Sequence, residues 1–457
     1  MFGHDSSRDS ITIYKFLEYG EIIYRGPVFS VIWGYLSPIY YYMILPSHFL
    51  FGFHPLSSAI LSNILGLIFV VFATFLSYKL FDKKTSIVIS IIAASSVLLI
   101  RNSGSALNPS LMPPFVLLLY YSIVKFLNGE SRYLIGIAIS MSFLLSLHPS
   151  GIFFVPVLII LAFFKKSKLD KKSTIISAVI VLIVLVLPYL IQEKKLAWWT
   201  IKKTIEYIGN NQGTNPGFVE RIIFFVDAVF KNTSIFLFGD TIKNYTFYTM
   251  PLYVYLLYDF AKSVFGFRVL TSRSILTILL VLYLFFFMIA VPFEDNDINR
   301  QWFGACFIPL LVLYFGVVLS KLVSKKYNYA GNFILAGFVI INIVSIYNFR
   351  GLSDSYFHKK EIANFLREDS SGVDFDIFGS NPEPFFYTMW YNETDSSKKE
   401  MYRTWFFWAK ERDAKLAYVI TDKKDEDLDL NSLGKYTDKK DVYVTSLQYR
   451  IIKFTKP

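Results

Sequence analysis

Two aspartates and an arginine stand at the start of the chain, in Gly3-His4-Asp5-Ser6-Ser7-Arg8-Asp9. On a helix Asp5 and Asp9 share one face with Arg8 between them, and Asp5 pairs with Arg8 at i, i+3. A carboxylate kept ionised by a guanidinium is suited to general-base work. The same residues also suit a plainer role, with Asp5 or Ser6 capping the amphipathic segment that follows. Three other polar groups are candidates. Arg101-Asn102-Ser103 is followed by Asn108-Pro109, Glu294-Asp295-Asn296-Asp297 by Arg300-Gln301-Trp302, and His148-Pro149 sits at a helix end. Each has a bland counterpart: Arg101 snorkelling to an interface, a solvated acidic loop, and a structural histidine.

The surrounding composition says where these groups must sit. The 457 residues are 54% hydrophobic, 18% aromatic and only 18% charged, with a mean hydropathy of +0.44. Soluble proteins carry roughly a quarter charged residues. Repeated Leu-, Ile-, Val- and Phe-rich runs without period-2 alternation read as membrane helices, so the chain is a polytopic all-α membrane protein. The net charge of +11 fits basic cytoplasmic loops better than a nucleic-acid partner. One cysteine, Cys306, lies in an apolar run and offers neither a disulfide framework nor a thiolate metal site.

About ten spans are expected, at 57–80, 86–100, 111–127, 132–147, 151–165, 173–190, 247–265, 270–291, 301–321 and 328–348. The stretches 36–51 and 222–238 are read as interfacial or re-entrant. Tyr40, Tyr41 and Tyr42 in the first suit an aromatic belt. Alternate loops carry the positive charge: Lys79/Lys83/Lys84, Lys125/Arg132, Lys165/Lys166/Lys168/Lys171/Lys172, Arg268/Arg273 and Lys321/Lys325/Lys326. The positive-inside rule makes these cytoplasmic. Parity then puts 1–35, the loops near 101–110, 148–150, 192–246 and 292–300, and the tail after Phe349 outside. A chain that begins outside implies a further membrane helix before residue 1.

Two domains are expected: a transmembrane catalytic domain over 1–348, with 1–56 as its first outer loop, and a soluble extracytoplasmic domain over 349–457. In the latter, short strand-like runs (Phe375–Phe378, Leu416–Thr421, Val442–Thr445, Tyr449–Phe454) alternate with helical segments 358–367 and 398–411, which reads as α/β or α+β. No G-x-x-x-x-G-K-[ST] or G-x-G-x-x-G loop is present, so nothing cradles a nucleotide. No H-E-x-x-H or paired histidines suggest zinc. Asp259 is the one charged residue near the middle of an expected span, where coupled transporters usually need several. An enzyme working outside the cytoplasm has no ATP or nucleotide sugar, and a membrane-resident activated donor fits both facts.

These residues resemble the GT-C fold glycosyltransferases, in the branch of protein O-mannosyltransferases and the aminoarabinose transferases of lipid A. That branch carries an Asp-Glu-x-Arg motif in its first outer loop, and Asp5-Ser6-Ser7-Arg8 is similar to it. A Pro- and aromatic-rich stretch with a Phe-Gly turn has its likeness in Gly26-Pro27, Ser37-Pro38-Ile39-Tyr40-Tyr41-Tyr42, Pro46 and Phe51-Gly52-Phe53-His54-Pro55. A helix ending in an outer arginine matches Arg101. Gly3 to Asp9 and Asn108-Pro109-Ser110 suit a bacterial subgroup with Asp-Gln-Ala-Arg-Asp. The resemblance covers residues 1–130 by motif and the rest by layout. It departs at Ser6, which replaces the usual Glu, and at Asn299-Arg300-Gln301-Trp302 with Pro309, where relatives carry His-Tyr or Arg-Tyr.

The resemblance implies inverting transfer of a hexosyl or pentosyl unit from a polyprenyl-phosphate carrier to a glycan, lipid or protein acceptor at the outer face. Asp5 is the expected base and Asp9 a second, acceptor-positioning carboxylate. Arg8 would hold the carboxylates. Arg101, Asn108, His148 and Arg300 are the expected substrate-binding residues, with the arginines on the lipid phosphate. The lipid-linked sugar is a substrate, no ligand set demands a metal, and no cofactor is expected. Two readings compete: a lipid or small-molecule transporter or flippase, and a non-catalytic scaffold with the tail as its partner-binding module.

Overall fold

The computed structural model describes residues 4–29, 34–163, 169–210, 218–239, 246–265, 271–290, 297–324, 328–348, 356–370, 373, 375–378, 383–396, 414, 416–422, 438–444 and 449–455. The chain opens with α1 (His4–Tyr19), a two-residue antiparallel ribbon of β1 (Val28–Phe29) and β2 (Gly34–Tyr35), and α2 (Ile39–Leu50). α3 (Ser57–Leu80) is the first long apolar rod. α4 (Lys83–Ser95) starts where Asp82 accepts the Thr85 N–H at 2.8 Å. It breaks at Ser96 into α5 (Val97–Ser103), with a 58° bend. The Val97 N–H freed by that break donates to Asn342 Oδ1 at 2.8 Å. A membrane core tolerates a broken helix only when a neighbour takes up the freed backbone group in this way.

α6 (Pro113–Leu127), α7 (Leu134–Leu147) and α8 (Phe154–Ala162) are short apolar helices linked by single 3-10 turns. α9 (Lys171–Val181) and α10 (Leu187–Lys195) join through a π turn at Leu182–Val186 into one rod, Lys171–Lys195. Pro188 explains the wider turn, because its ring crowds the Val184 carbonyl and it has no N–H to donate. α11 (Trp199–Asn210), α12 (Phe218–Phe238), α13 (Thr246–Phe265), α14 (Ser272–Ala290), α15 (Asp297–Ser324) and α16 (Asn328–Asn348) complete the helical part.

Five helices among the described residues have both the length and the hydropathy to cross a bilayer, or six if the bent α4–α5 pair is one span. About ten had been expected. The difference lies in α6, α7 and α8, which are apolar but short, and in α13, whose polar Asp259 and Lys262 lower its hydropathy. All of them contribute to one continuous core. The 222–238 stretch is continuous helix. It lies in the 21-residue α12, which buries Ala228, Val229, Asn232, Thr233, Ser234, Phe236 and Leu237. Two of its polar side chains fold back on their own helix, Asn232 to the Ala228 carbonyl at 2.9 Å and Thr233 to that of Val229 at 2.8 Å. Asn232 and Thr233 are thus bonded within the helix itself. Helices in such a core associate by close packing. At the α4–α15 contact a Cβ on Gly316 would meet Ile89 Cγ1 at 2.2 Å.

The C-terminal segment adds α17 (Tyr356–Asp369), β3 (Phe375–Phe378), α18 (Glu383–Asn392), β4 (Leu416–Asp422), β5 (Asp438–Val444) and β6 (Tyr449–Thr455). The sheet order is β3-β4-β6-β5, with β3 and β4 parallel and the other pairs antiparallel. Expected segment 398–411 lies outside the described residues. This sheet does not stand apart from the membrane part. Tyr14 of α1 belongs to its core, with ring centroids 4.9 Å from Trp390 and 5.2 Å from Phe53.

Candidate active site

α1 puts Asp5, Arg8 and Asp9 on one face, as their spacing predicts. Arg8 bridges the two carboxylates, with Nη1 2.8 Å from Asp5 Oδ1 and Nη2 3.1 Å from Asp9 Oδ1. The two aspartates nonetheless differ. The Asp5 side chain is 52% exposed and that of Asp9 only 2%. Asp9 also accepts the Tyr41 hydroxyl at 2.9 Å. Burial raises the Asp9 pKa above its ordinary value, and Arg8 pulls it back only in part. Burial works against the Arg8 charge too, but Asp9, Tyr41 and Asp5 outweigh it and hold the guanidinium protonated. Burial, then the Asp9 charge, push the Tyr41 hydroxyl well above its usual range, so it remains a proton donor.

A second row of contacts fixes α1 against its neighbours. Ser10 Oγ lies 2.8 Å from the Ser6 carbonyl and 3.0 Å from His48 Nε2. Burial lowers the His48 pKa to about 4, so the ring is neutral at pH 7 and serves as packing and hydrogen-bond partner. Ser6 Oγ and the Tyr40 hydroxyl both donate to the Ala106 carbonyl, at 3.5 and 3.3 Å. That ties the acidic helix to the 105–111 segment, where Ser105 and Ser110 hydroxyls are 2.6 Å apart.

The other expected binding residues fall at or toward the same end of the bundle. Arg101 lies in the last turn of α5, partly exposed. Asn108 Nδ2 donates to the Leu147 carbonyl and so joins the 3-10 turn Asn108–Leu111 to the end of α7. His148 is buried, and its Nδ1 accepts the Ser150 N–H at 3.2 Å, capping the next 3-10 turn. Asn108 and His148 therefore fasten turns. Arg300 is in the first turns of α15, six residues before Cys306, whose Sγ is 3.4 Å from Ser150 Oγ. The Arg300 side chain and residues 294–296 lie outside what is described. Tyr41 and His48 were not anticipated as partners of the acidic cluster. The sequence marks Tyr41 as an aromatic-belt residue within a Pro-rich stretch, and nothing in that pattern says its hydroxyl meets Asp9. Among the described residues no three His, Cys, Asp or Glu side chains gather as metal ligands do.

The profile of the family described as dolichyl-phosphate-mannose-protein mannosyltransferase matches residues 36–191. ArnT from Cupriavidus metallidurans, solved bound to undecaprenyl phosphate, superposes with a TM-score of 0.61 at 8% identity, covering 99% of this chain and 94% of that one. The oligosaccharyltransferase of Archaeoglobus fulgidus, in complex with Zn and sulfate, gives 0.53 at 14% identity over 92% of this chain and 64% of that one. The chain has the GT-C fold. Among curated proteins none matches by sequence.

In this GT-C bundle a groove of about 340 Å³ runs between α3, α4 and α5. Leu67, Phe69, Val70 and Leu99 line its body, and Asn63, Asn102, Ser103 and Ser110 its polar side. Ser110, through Ser105, belongs to the segment that receives Ser6 and Tyr40. The groove and the acidic cluster thus share one wall. At the opposite end of the bundle stand Lys84, which reaches the Val323 carbonyl at 3.3 Å, and the Lys125–Glu130–Arg132 group.

Proposed function

We propose that this chain transfers a sugar from a polyprenyl-phosphate carrier to an acceptor at the extracytoplasmic face of the membrane, with Asp5 as general base. The observation that carries the reading is the Asp5–Arg8–Asp9 bridge at one end of a GT-C bundle. Asp5 is the carboxylate open to solvent, and Arg8 holds it in place through the 2.8 Å ion pair. Asp9 is buried and anchors Arg8. Its role is positioning, and it does not meet the acceptor.

The step follows from these assignments. A carboxylate oxygen of Asp5 takes the proton of an acceptor hydroxyl or amine as that atom attacks the anomeric carbon. The bond from that carbon to the carrier phosphate oxygen breaks, and attack from the opposite face inverts the centre. The phosphate leaves with its charge, for which Arg101 and Arg300 supply guanidinium donors. The groove between α3, α4 and α5 suits the first units of an apolar tail. ArnT was solved with undecaprenyl phosphate, and a lipid-phosphate donor is assigned here on that likeness. The basic residues at the far end support an outward-facing Asp5 by the positive-inside rule.

The test is an assay in proteoliposomes, offering radiolabelled polyprenyl-phosphate sugars with membrane extract as acceptor. Wild type should transfer label, and Asp5→Asn should lose about 100-fold or more, as expected for removal of a general base. Persistent transfer in the variant would move the base elsewhere. No transfer from any donor would sink the enzyme reading and favour a transporter.

A further inference from the structure

At the end of the Lys171–Lys195 rod the chain reverses abruptly. Ala197 and Trp198 both have left-handed backbone, at φ 52° and 62°, and the Trp198 N–H closes onto the Glu193 carbonyl at 2.8 Å. The reversal keeps α11 from running on as a continuation of the rod. Its first turn is fastened beside the rod's end, where Glu193 Oε2 accepts the Ile201 N–H at 3.3 Å. Thr200 Oγ1 takes the Tyr35 N–H, also at 3.3 Å, and ties the helix to β2. Helical spacing then gives α11 three faces. Thr200 and Thr204 share the half-buried one that is held by β2. Ile201 and Ile205 form the next, 45% and 65% exposed. Lys202 and Glu206 form the third and are exposed as well.

What covers the isoleucine face is indicated by what it adjoins. The rod is long and apolar enough to cross a bilayer, yet only 6% of its apolar stretch is buried inside the protein, so lipid is its main neighbour. That lipid-facing surface runs on through Leu187, Leu190 and Ile191 at the rod's end to Trp198 and Trp199, all of them exposed. Tryptophan is enriched at this depth, where a span meets the headgroups. The charge around the strip is mainly positive. Lys194, Lys195 and Lys202 are exposed, and Lys195 stacks over the Tyr24 ring at 5.5 Å. Lys203 lies 5.0 Å over the Trp199 ring and pairs with Glu206 at 2.6 Å. Glu193, the other carboxylate between residues 193 and 206, is turned inward to cap α11. An exposed apolar strip with tryptophan at one end and lysines along its polar side is the pattern of a segment that lies in a membrane surface.

We propose that α11 rests in the bilayer surface at the rod's end and is a binding site for anionic phospholipids. Trp198, Ile201 and Ile205 enter the upper acyl chains, and Lys194 and Lys202 hold the headgroup phosphates. Lysine suits this task, because its apolar stem covers acyl surface while the ammonium meets the phosphate as a point charge. The site needs only the membrane span beside it and is independent of the sugar-transfer reading.

The test reads depth and lipid choice together. The full chain, carrying Ile205→Cys on a Cys306→Ala background, would be labelled with one environment-sensitive fluorophore and reconstituted into phosphatidylcholine vesicles. A nitroxide on the upper acyl chain would be supplied on either phosphatidylcholine or phosphatidylglycerol. The label should be quenched by lipid nitroxide and shielded from aqueous iodide, whereas a label at Glu206→Cys should be open to iodide. At equal mole fraction, phosphatidylglycerol should associate about fivefold more strongly than phosphatidylcholine, the effect of a lysine beside an anionic headgroup. Lys194→Gln with Lys202→Gln should bring the two lipids to parity while the label keeps its depth. Both substitutions are on the surface, so the melting temperature should stay near that of the parent chain. Added salt should narrow the preference. Native mass spectrometry of the unsubstituted chain with the same two lipids, where phosphatidylglycerol should be retained in excess, serves if the cysteine variants fold poorly. An iodide-quenched label at position 205 overturns the proposal and leaves the isoleucine face for another protein chain. Equal association of the two lipids with the parent chain also overturns it, as does a preference that survives the loss of both lysines.

Discussion

Tyr41 and Asp9 make the acidic cluster asymmetric, and that asymmetry can be measured. Asp9 must be ionised to hold Arg8, yet burial raises its pKa. The acid limb of kcat/KM should therefore lie above the ordinary aspartate range. Stability moves the other way: a carboxyl whose folded pKa is raised stabilises the fold at low pH and loses that contribution as pH rises through the folded pKa. Activity should thus climb and melting temperature decline across the same window, as paired pH profiles would reveal. Tyr41→Phe removes a donor to the ionised form, so its acid limb should move up by about one pH unit. An unmoved limb would mean that Asp9 does not control activity. Asp9→Asn leaves Arg8 half-paired and should cost about 3 kcal/mol, as breaking a buried pair does, in a denaturation series in detergent.

Among the elements, α13, α14 and α15 are pinned to one another through Asp259. Arg273 Nε donates to it at 3.1 Å, and so does the Tyr314 hydroxyl at the same distance. Arg273 also reaches the Tyr255 hydroxyl at 3.1 Å. The charged residue that looked out of place in an apolar run is a cross-brace between three helices. Arg273→Met should destabilise by about 3 kcal/mol, because Asp259 stays buried without its cation. Asp259→Asn with Arg273→Met should recover much of that loss, and thermal unfolding of the three variants tests this. A loss of the same size in the double variant would rule the brace out. The cap on α4 is a smaller matter. Asp82→Ala gives up the 2.8 Å bond to the Thr85 N–H and should cost about 1 kcal/mol.

Across the whole molecule the C-terminal sheet and the acidic helix are one structure. Tyr14 of α1 packs on Trp390, and the Tyr387 hydroxyl donates to the Phe53 carbonyl at 2.6 Å. Trp390→Ala should destabilise by about 3 kcal/mol. It should also lower kcat without moving the acid limb, since it loosens α1 and leaves the Asp9 contacts intact. Unchanged turnover would show that α1 is held by the helical bundle alone. Local pattern decided much of this in advance. Asp5, Arg8 and Asp9 share a face because 3.6-residue periodicity puts them there, and apolar run length marked α3, α14, α15 and α16 as membrane helices. Charge alternation between loops separated the basic end from the acidic one. Three things depended on distant segments meeting. Which aspartate is buried was set by Tyr41, 32 residues away. Asn108 and His148 became turn fasteners because the ends of α7 and the 105–111 segment converge. Gln192 accepts the N–H of Gly26, 166 residues earlier in the chain, only because the two segments meet. Periodicity and composition act over a few residues, whereas burial and the choice of hydrogen-bond partner are properties of the closed bundle, and only the tertiary structure could assign them.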